Sequence, residues 1–133
     1  MRFERAMIFV VDLERMVAFY RDVLGLRPIE ATRHPDWVEF ETAGGAPFAL
    51  HAIPAQIARD IAVPSPPVPR EQGSCKLTFA ASDLAAERAR LEGLGAMILD
   101  RPWGGWEVVD PEGNVLGVRE ALGPGARPAG LLS

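Results

Sequence analysis

The sequence predicts an α+β domain of two similar halves, each a strand, a helix and three further strands, with a cleft between the halves. Three observations support this fold class. Segments with the hydrophobic spacing of strands alternate with segments that have the spacing of helices. Each predicted helix begins after an aspartate and ends before a glycine. Several short residue patterns also recur in the same order in the two halves. We expect one domain over residues 1–133, because this length suits a single core and is short for two ordinary domains.

The first half, about residues 5–53, opens with a strand and a helix. Residues 7–11 form a short apolar run that is typical of a buried strand. Asp12 is a good N-cap for a helix over residues 13–24, and Gly25 is a natural end. One face of this helix is apolar, and it carries Leu13, Met16, Val17, Tyr20 and Leu24.

Three strands follow in the first half, at residues 26–31, 37–41 and 47–53. Gly44 and Gly45 mark a turn that joins the last two strands as a hairpin. Residues 54–73 are interpreted as the linker between the halves, with a short helical turn inside residues 55–62. Prolines in residues 64–69 exclude a central strand there, because proline donates no ladder hydrogen bond.

The second half, about residues 74–120, repeats the scheme. Its predicted elements are strands at residues 75–81, 96–99, 105–109 and 115–119 and a helix at residues 84–94. Asp83 caps this helix, Gly95 ends it, and Asp-Pro-Glu-Gly-Asn at residues 110–114 forms a turn. The tail, residues 121–133, is rich in glycine and proline from Gly123 and is expected to be extended or frayed.

The internal repeat rests on four pairs of landmarks. They are Asp12-Leu13 with Asp83-Leu84, Gly25 with Gly95, Trp37-Val-Glu with Trp106-Glu-Val, and Leu50 with Leu116. Coincidence between two generic strand–helix units is the alternative, and the shared order of the landmarks disfavours it. One such unit leaves a sheet face exposed, so pairing two units covers that face and leaves a cleft.

Composition excludes several classes of function. The net charge of −4 gives no basic stripe for nucleic acid, so no nucleic-acid partner is expected. No apolar run is long enough to span a membrane, and the first residues lack a signal-peptide pattern. We therefore expect a cytoplasmic protein without a membrane partner. Cys75 is a single cysteine, which excludes an internal disulfide, and we interpret it as a small apolar strand residue.

Two segments resemble the vicinal oxygen chelate superfamily, which holds glyoxalase I, bleomycin-resistance proteins and extradiol dioxygenases. They are residues 11–26, VDLERMVAFYRDVLGL, and residues 106–114, WEVVDPEGN, with Ser82-Asp-Leu as a weaker third match. The resemblance implies two βαβββ modules that curl into a half-barrel. It also implies a homodimer whose pocket is built from both chains. The motifs are specific for the fold and say little about the reaction.

The resemblance also implies where a metal would bind. Metalloenzymes of the superfamily use one ligand on the first strand and one on the last strand of each half. The matching positions here are Arg5, Lys76, His51 and Gly117. A metal needs lone-pair donors, and only His51 offers one, so no metal and no other cofactor is expected. A shifted strand register leaves an alternative, a divalent metal held through Glu39, Glu41 or Glu107.

Three potential cations, Arg5, His51 and Lys76, are predicted to point into the cleft, where they would favour a carboxylate or phosphate. The alternatives are that Arg5 lies in solvent at a strand entrance and that Lys76 pairs with a nearby glutamate. His51 is either a hydrogen-bonded pocket residue or a general base with a pKa near neutral. His34, before a proline in a turn, is expected to be exposed.

Aromatic residues offer flat surfaces for a planar ligand. We assign Trp37, Trp103 and Trp106 to ligand binding, with core or dimer contacts as the alternative. For Phe9, Phe40 and Phe48 the core or a dimer contact is the better interpretation.

The favoured function is a metal-independent binding protein that sequesters a planar or anionic small molecule. The alternative is a lyase, isomerase or dioxygenase that uses His51 as base or metal ligand. An interaction module with a vestigial cleft is a third possibility.

Overall fold

The computed structural model describes residues 1–43 and 45–121, and it confirms a mixed α+β fold with two open sheets. Gly44 of the predicted turn and the tail beyond Ala121 lie outside the described residues. The first sheet has three strands, β1 (Ala6–Val10), β2 (Trp37–Phe40) and β3 (Phe48–Ala52). Their order is β1-β3-β2, with β1 parallel and β2 antiparallel to the central strand.

The helix after β1 begins where the sequence predicts and changes character halfway. Helix α1 (Leu13–Ala18) is capped by Asp12, whose side chain accepts from the backbone N–H of Arg15. The chain continues as a π-helical turn, Phe19–Val23, and reaches Gly25 at a φ of 82°. The wider turn accompanies the burial of two consecutive aromatic side chains, Phe19 and Tyr20.

The predicted strand at residues 26–31 is wrong. Pro28 makes one isolated bridge to Phe40, and residues Glu30–Thr32 turn into a 3₁₀ helix instead. Two backbone bonds to the β2 edge flank Pro28, from Ile29 N–H to Glu39 and from Glu41 N–H to Arg27. Pro28 therefore lies at a non-hydrogen-bonded position of this short pairing, where no N–H is needed, and the pairing ends where residues Glu30–Thr32 turn away.

The second half forms a four-stranded sheet in the order β4-β7-β6-β5. Its elements are β4 (Thr78–Ala81), α3 (Leu84–Gly93), β5 (Met97–Asp100), β6 (Trp106–Val109) and β7 (Val115–Glu120), after a short α2 (Ala55–Ala58) between the halves. Strand β4 begins three residues later than predicted. Cys75 therefore precedes the strand and is exposed, which corrects its interpretation as a small apolar strand residue.

The two helices contribute unequally to the core. Helix α1 and the π-helical turn after it bury five large side chains, which are Leu13, Met16, Val17, Phe19 and Tyr20. Helix α3 buries only Leu91 among its described residues, and its predicted apolar neighbour Leu94 is 53% exposed. Most apolar packing in the main cluster thus comes from α1 and from both sheets.

The turn at residues 110–114 holds the two halves together. The hydroxyl of Tyr20 donates to the fully buried carboxylate of Asp110 at 2.7 Å. The carboxylate of Glu112 accepts from the backbone N–H groups of Val11 and Asp12, at the junction of β1 and α1. Gly113 makes the turn possible with a φ of 92°. Across the described part of the chain, no helix is long and apolar enough to span a membrane.

Candidate functional site

A recess opens on the face of the first sheet that points away from α1. Side chains alternate across a strand, so Val10, Val38 and Leu50 are buried towards the helix while their neighbours point outwards. The recess has a volume of about 550 Å³ and is open to solvent. Its lining includes Arg5, His34, Asp36, Trp37, Glu39 and His51.

His51 is held between two aromatic rings in this recess. The ring of Phe9 stacks on it with centroids 5.5 Å apart and planes inclined by 28°. The indole of Trp37 meets the imidazole edge-on, also at 5.5 Å. The Nε2 atom of His51 lies 3.5 Å from a carboxylate oxygen of Asp36. The imidazole therefore has a fixed plane and a carboxylate beside one nitrogen.

Arg5 and Glu39 form the charged part of the recess. Glu39 is buried, and its Oε1 accepts from the indole N–H of Trp37 at 3.0 Å. The Nη2 atom of Arg5 lies 3.7 Å from the same oxygen, and the guanidinium carbon is 5.2 Å from the Trp37 ring centroid. Arg5 thus balances a buried carboxylate, while 40% of its side chain stays exposed to solvent.

The second sheet carries the same arrangement. The matching rows of neighbouring residues across the strands are Met7–Ala49–Glu39 in the first sheet and Thr78–Gly117–Glu107 in the second. Arg5 and Lys76 each precede the first-strand member of their row by two residues. In both halves a cation just before the first strand therefore pairs with a buried glutamate, and the residue between the two strands of the row is small.

Glu107 is more tightly held than Glu39. It accepts from Lys76 and, at 2.6 Å, from the Nε of Arg101, which reaches on to Glu71 with two further bonds. Burial raises the pKa of Glu107, but the hydrogen bonds from Lys76 and Arg101 outweigh it and hold the pKa below its usual range. The carboxylate is ionised at neutral pH, and both of its oxygens are engaged.

These rows correct the predicted correspondence between His51 and Gly117. The residue that matches Gly117 is Ala49, two positions before His51 on β3. The side chains at the predicted ligand positions do not fit a metal in either half. Arg5 and Lys76 are cations paired with carboxylates, and Ala49 and Gly117 have no ligating atom.

The alternative ligands Glu39, Glu41 and Glu107 are not brought together. Glu39 and Glu107 lie in different sheets, each paired with its own cation, and Glu41 lies 3.8 Å from Arg27 at the surface. Within residues 1–43 and 45–121, no three His, Cys, Asp or Glu side chains are grouped so that they could hold a metal ion.

Of the six residues assigned to ligand binding, three share the recess, namely Arg5, Trp37 and His51. Lys76 does not line it and pairs with Glu107, as the alternative interpretation of Lys76 anticipated. Trp103 lies on the turn between β5 and β6 and is 73% exposed. Trp106 lies on the opposite face of the second sheet, against the guanidinium of Arg88 on α3.

Sequence reasoning did not place Phe9 beside the recess, nor Ala31, Thr32, His34 and Asp36 in its lining. Phe9, interpreted as a core or dimer contact, is 59% exposed and stacks on His51. Its alternation with Arg5 and Met7 along β1 is the signal that places it on their face. Asp36 carries no comparable signal, because its position depends on the backbone bond from Ala52 N–H to its carbonyl.

Comparison with known proteins agrees with this architecture. The family model of the glyoxalase-like domain matches residues 6–119, nearly the whole described chain. A comparison with curated proteins gave no significant match.

Several solved structures share the fold over most of both chains. A protein of unknown function from Agrobacterium tumefaciens str. C58 is 28% identical, with a TM-score of 0.65 and coverage of 92% of this chain and 95% of that one. A lactoylglutathione lyase from Agrobacterium tumefaciens is 26% identical, with a TM-score of 0.59 and coverage of 88% and 91%. TnmS3, an antibiotic-binding protein from Streptomyces sp. CB03234, is 22% identical, with a TM-score of 0.59 and coverage of 91% and 97%.

The matched residues include both segments that carry the resemblance to the vicinal oxygen chelate superfamily. The two open sheets match the glyoxalase type of fold. The chain therefore belongs to the glyoxalase-like domain family.

Proposed function

We propose that this protein binds a planar or anionic small molecule in the recess beside His51 and sequesters it without a metal. The observation that carries the proposal is the ring cluster of Phe9, His51 and Trp37, with the partly exposed guanidinium of Arg5 beside the indole. Aromatic faces stack on planar molecules, and a guanidinium binds a carboxylate or phosphate. The ion pairs of Arg5 and Lys76, which stand at the expected ligand positions, support the metal-independent part of the proposal.

The fold neighbours are compatible with a binding role. TnmS3 is an antibiotic-binding protein, and its similarity extends over almost the whole of both chains. Binding proteins and enzymes share this scaffold, so the residues of the recess decide between the two roles. Both a homodimer and a cytoplasmic location belong to the proposal and rest on the sequence alone.

An enzyme is the second candidate, a lyase, isomerase or dioxygenase that uses His51 as base or metal ligand. It is favoured by Asp36, whose carboxylate lies 3.5 Å from Nε2 of His51, as expected for a group that orients a general base. One neighbour is a lactoylglutathione lyase. Formation of S-lactoylglutathione by the wild-type protein, lost in His51→Ala, would favour this candidate.

The binding proposal is tested with two isosteric probes, 2-naphthoate and neutral 2-naphthamide. Both are titrated while the indole N–H signal of Trp37 is followed by NMR and the Kd by calorimetry. Arg5→Met should weaken 2-naphthoate about tenfold and leave 2-naphthamide unchanged, because only the anion uses the guanidinium. Lys76→Met is the matched control, since it removes the corresponding cation outside the recess.

Three results would contradict the proposal. They are failure of both probes to shift the Trp37 signal, equal loss of both probes in Arg5→Met, and equal effects of Arg5→Met and Lys76→Met. A Trp37→Ala variant should weaken both probes, since the stacking surface serves either charge state.

A further inference from the structure

A second cavity lies between the two halves, apart from the recess. It has a volume of about 410 Å³. The first half contributes Leu24, Leu26 and Phe48, and the second half contributes Phe79, Leu91 and Val118. No residue that we assigned to ligand binding lines it. The cavity is larger than the roughly 150 Å³ that suffices for benzene in an apolar protein interior.

Helix α3 presents smaller apolar side chains to the space between the halves than the first helix does. Tyr20 and Leu91 each lie eight residues after the aspartate that caps their helix, so they occupy matching positions. Tyr20 fills its site, with the rings of Phe40, Phe48 and Phe79 around it. Leu91 is smaller than Tyr20 and lines the cavity.

Two further positions on α3 also bury less apolar surface than their counterparts on the first helix. Where the first helix buries Met16 and Phe19, α3 carries Glu87 and Arg90, which pair with each other at the surface. Protein interiors are close-packed, and voids larger than a few waters are uncommon. An open apolar cavity at this position is therefore typical of a binding site.

The rim of the cavity indicates the charge of its ligand. The two carboxylates that line it, Glu87 and Glu41, each have an arginine beside them, Arg90 and Arg27. The remaining lining is mainly aliphatic and aromatic. A charged ligand would lose its hydration in the cavity, and neither carboxylate would be free to pair with it, because each already has an arginine partner. We therefore expect the ligand to be uncharged.

We propose that this cavity is a second ligand site, for an uncharged apolar or aromatic molecule larger than benzene. The site depends on α3, β4 and the segment that joins β2 to β3, and it is independent of the recess beside His51.

The test uses N-phenyl-1-naphthylamine, a neutral fluorophore that brightens in apolar surroundings. Its binding is measured with the recess saturated by 2-naphthoate, and under this condition it should still bind the full chain. Leu91→Phe, which imitates the bulk of Tyr20, should weaken the probe at least about tenfold. Glu87→Trp changes a partly exposed residue of the lining and should weaken binding in the same direction even if Leu91→Phe folds poorly.

Trp37→Ala is the control, because it removes the stacking surface of the recess and leaves the cavity intact. Binding of the fluorophore should be unchanged in this variant. The proposal is overturned if the wild-type protein does not bind the fluorophore once 2-naphthoate saturates the recess, or if Trp37→Ala weakens this binding while Glu87→Trp does not. Failure of 2-naphthoate alone to bind would count against the recess and leave this site standing.

Discussion

Tyr20→Phe removes one hydroxyl from the contact that joins the two halves. The ring stays among Phe40, Phe48 and Phe79, so the packing is retained. The lost bond is the 2.7 Å contact to the carboxylate of Asp110, which is fully buried. Burial, reinforced by Asp110, raises the pKa of Tyr20 well above its usual value, so the hydroxyl is protonated and donates at any physiological pH.

The cost follows from the charge of the acceptor. A hydrogen bond to a charged group contributes about 1.5–3 kcal/mol, and removing it leaves one oxygen of Asp110 with fewer donors. For a domain of this size that loss lowers Tm by roughly 6–12 °C. The free energy of unfolding is measured by urea denaturation, where the midpoint should fall and the slope should not change.

Thr42→Val is the matched control, because it also removes one hydroxyl bond, to the carbonyl of Ala46 at an exposed turn. Its effect should stay within about 0.5 kcal/mol. If Tyr20→Phe were as mild as Thr42→Val, the contact with Asp110 would not be what joins the halves.

Two further predictions concern the second half. Gly113→Ala should destabilise the fold by at least about 2 kcal/mol more than Gly25→Ala by urea denaturation. Both glycines have positive φ, but only a Cβ at Gly113 would clash with the carbonyl oxygen of Val68, and equal losses would refute this. The low pKa of Glu107 stabilises the fold above its usual pKa of 4.5, and this stabilisation is lost as the pH falls through the lower folded value. Glu107→Gln should therefore flatten the fall of stability as the pH drops below the usual pKa of 4.5, and an unchanged slope would contradict the assignment.

The helices and turns were predictable because their signals are local. Asp12 and Asp83 both cap helices, and Gly25 and Gly113 both adopt the positive φ that their positions require. The predicted strand at residues 26–31 was wrong because its apolar pattern does not reveal that residues Glu30–Thr32 turn into a 3₁₀ helix. The π-helical turn has no local signal, since it depends on tertiary packing.

Only part of the site was predicted, because strand register decides which residues lie next to each other on the sheet. The sequence landmarks matched Trp37 with Trp106, whereas the rows of the two sheets match Trp37 with Gly105. A displacement of one residue moves a side chain to the other face, which is why Trp106 lies against α3. Pairing across the sheet could not be read from residue types alone.

The most direct test of metal-independent binding is the Kd of 2-naphthoate in protein stripped with EDTA, compared with protein supplied with zinc, nickel, iron or manganese. If the ion pairs of Arg5 and Lys76 stand in place of metal ligands, the probe binds the stripped protein, and its Kd changes by less than about twofold with each metal. Binding that vanishes in EDTA and returns with one equivalent of a single metal would contradict the account.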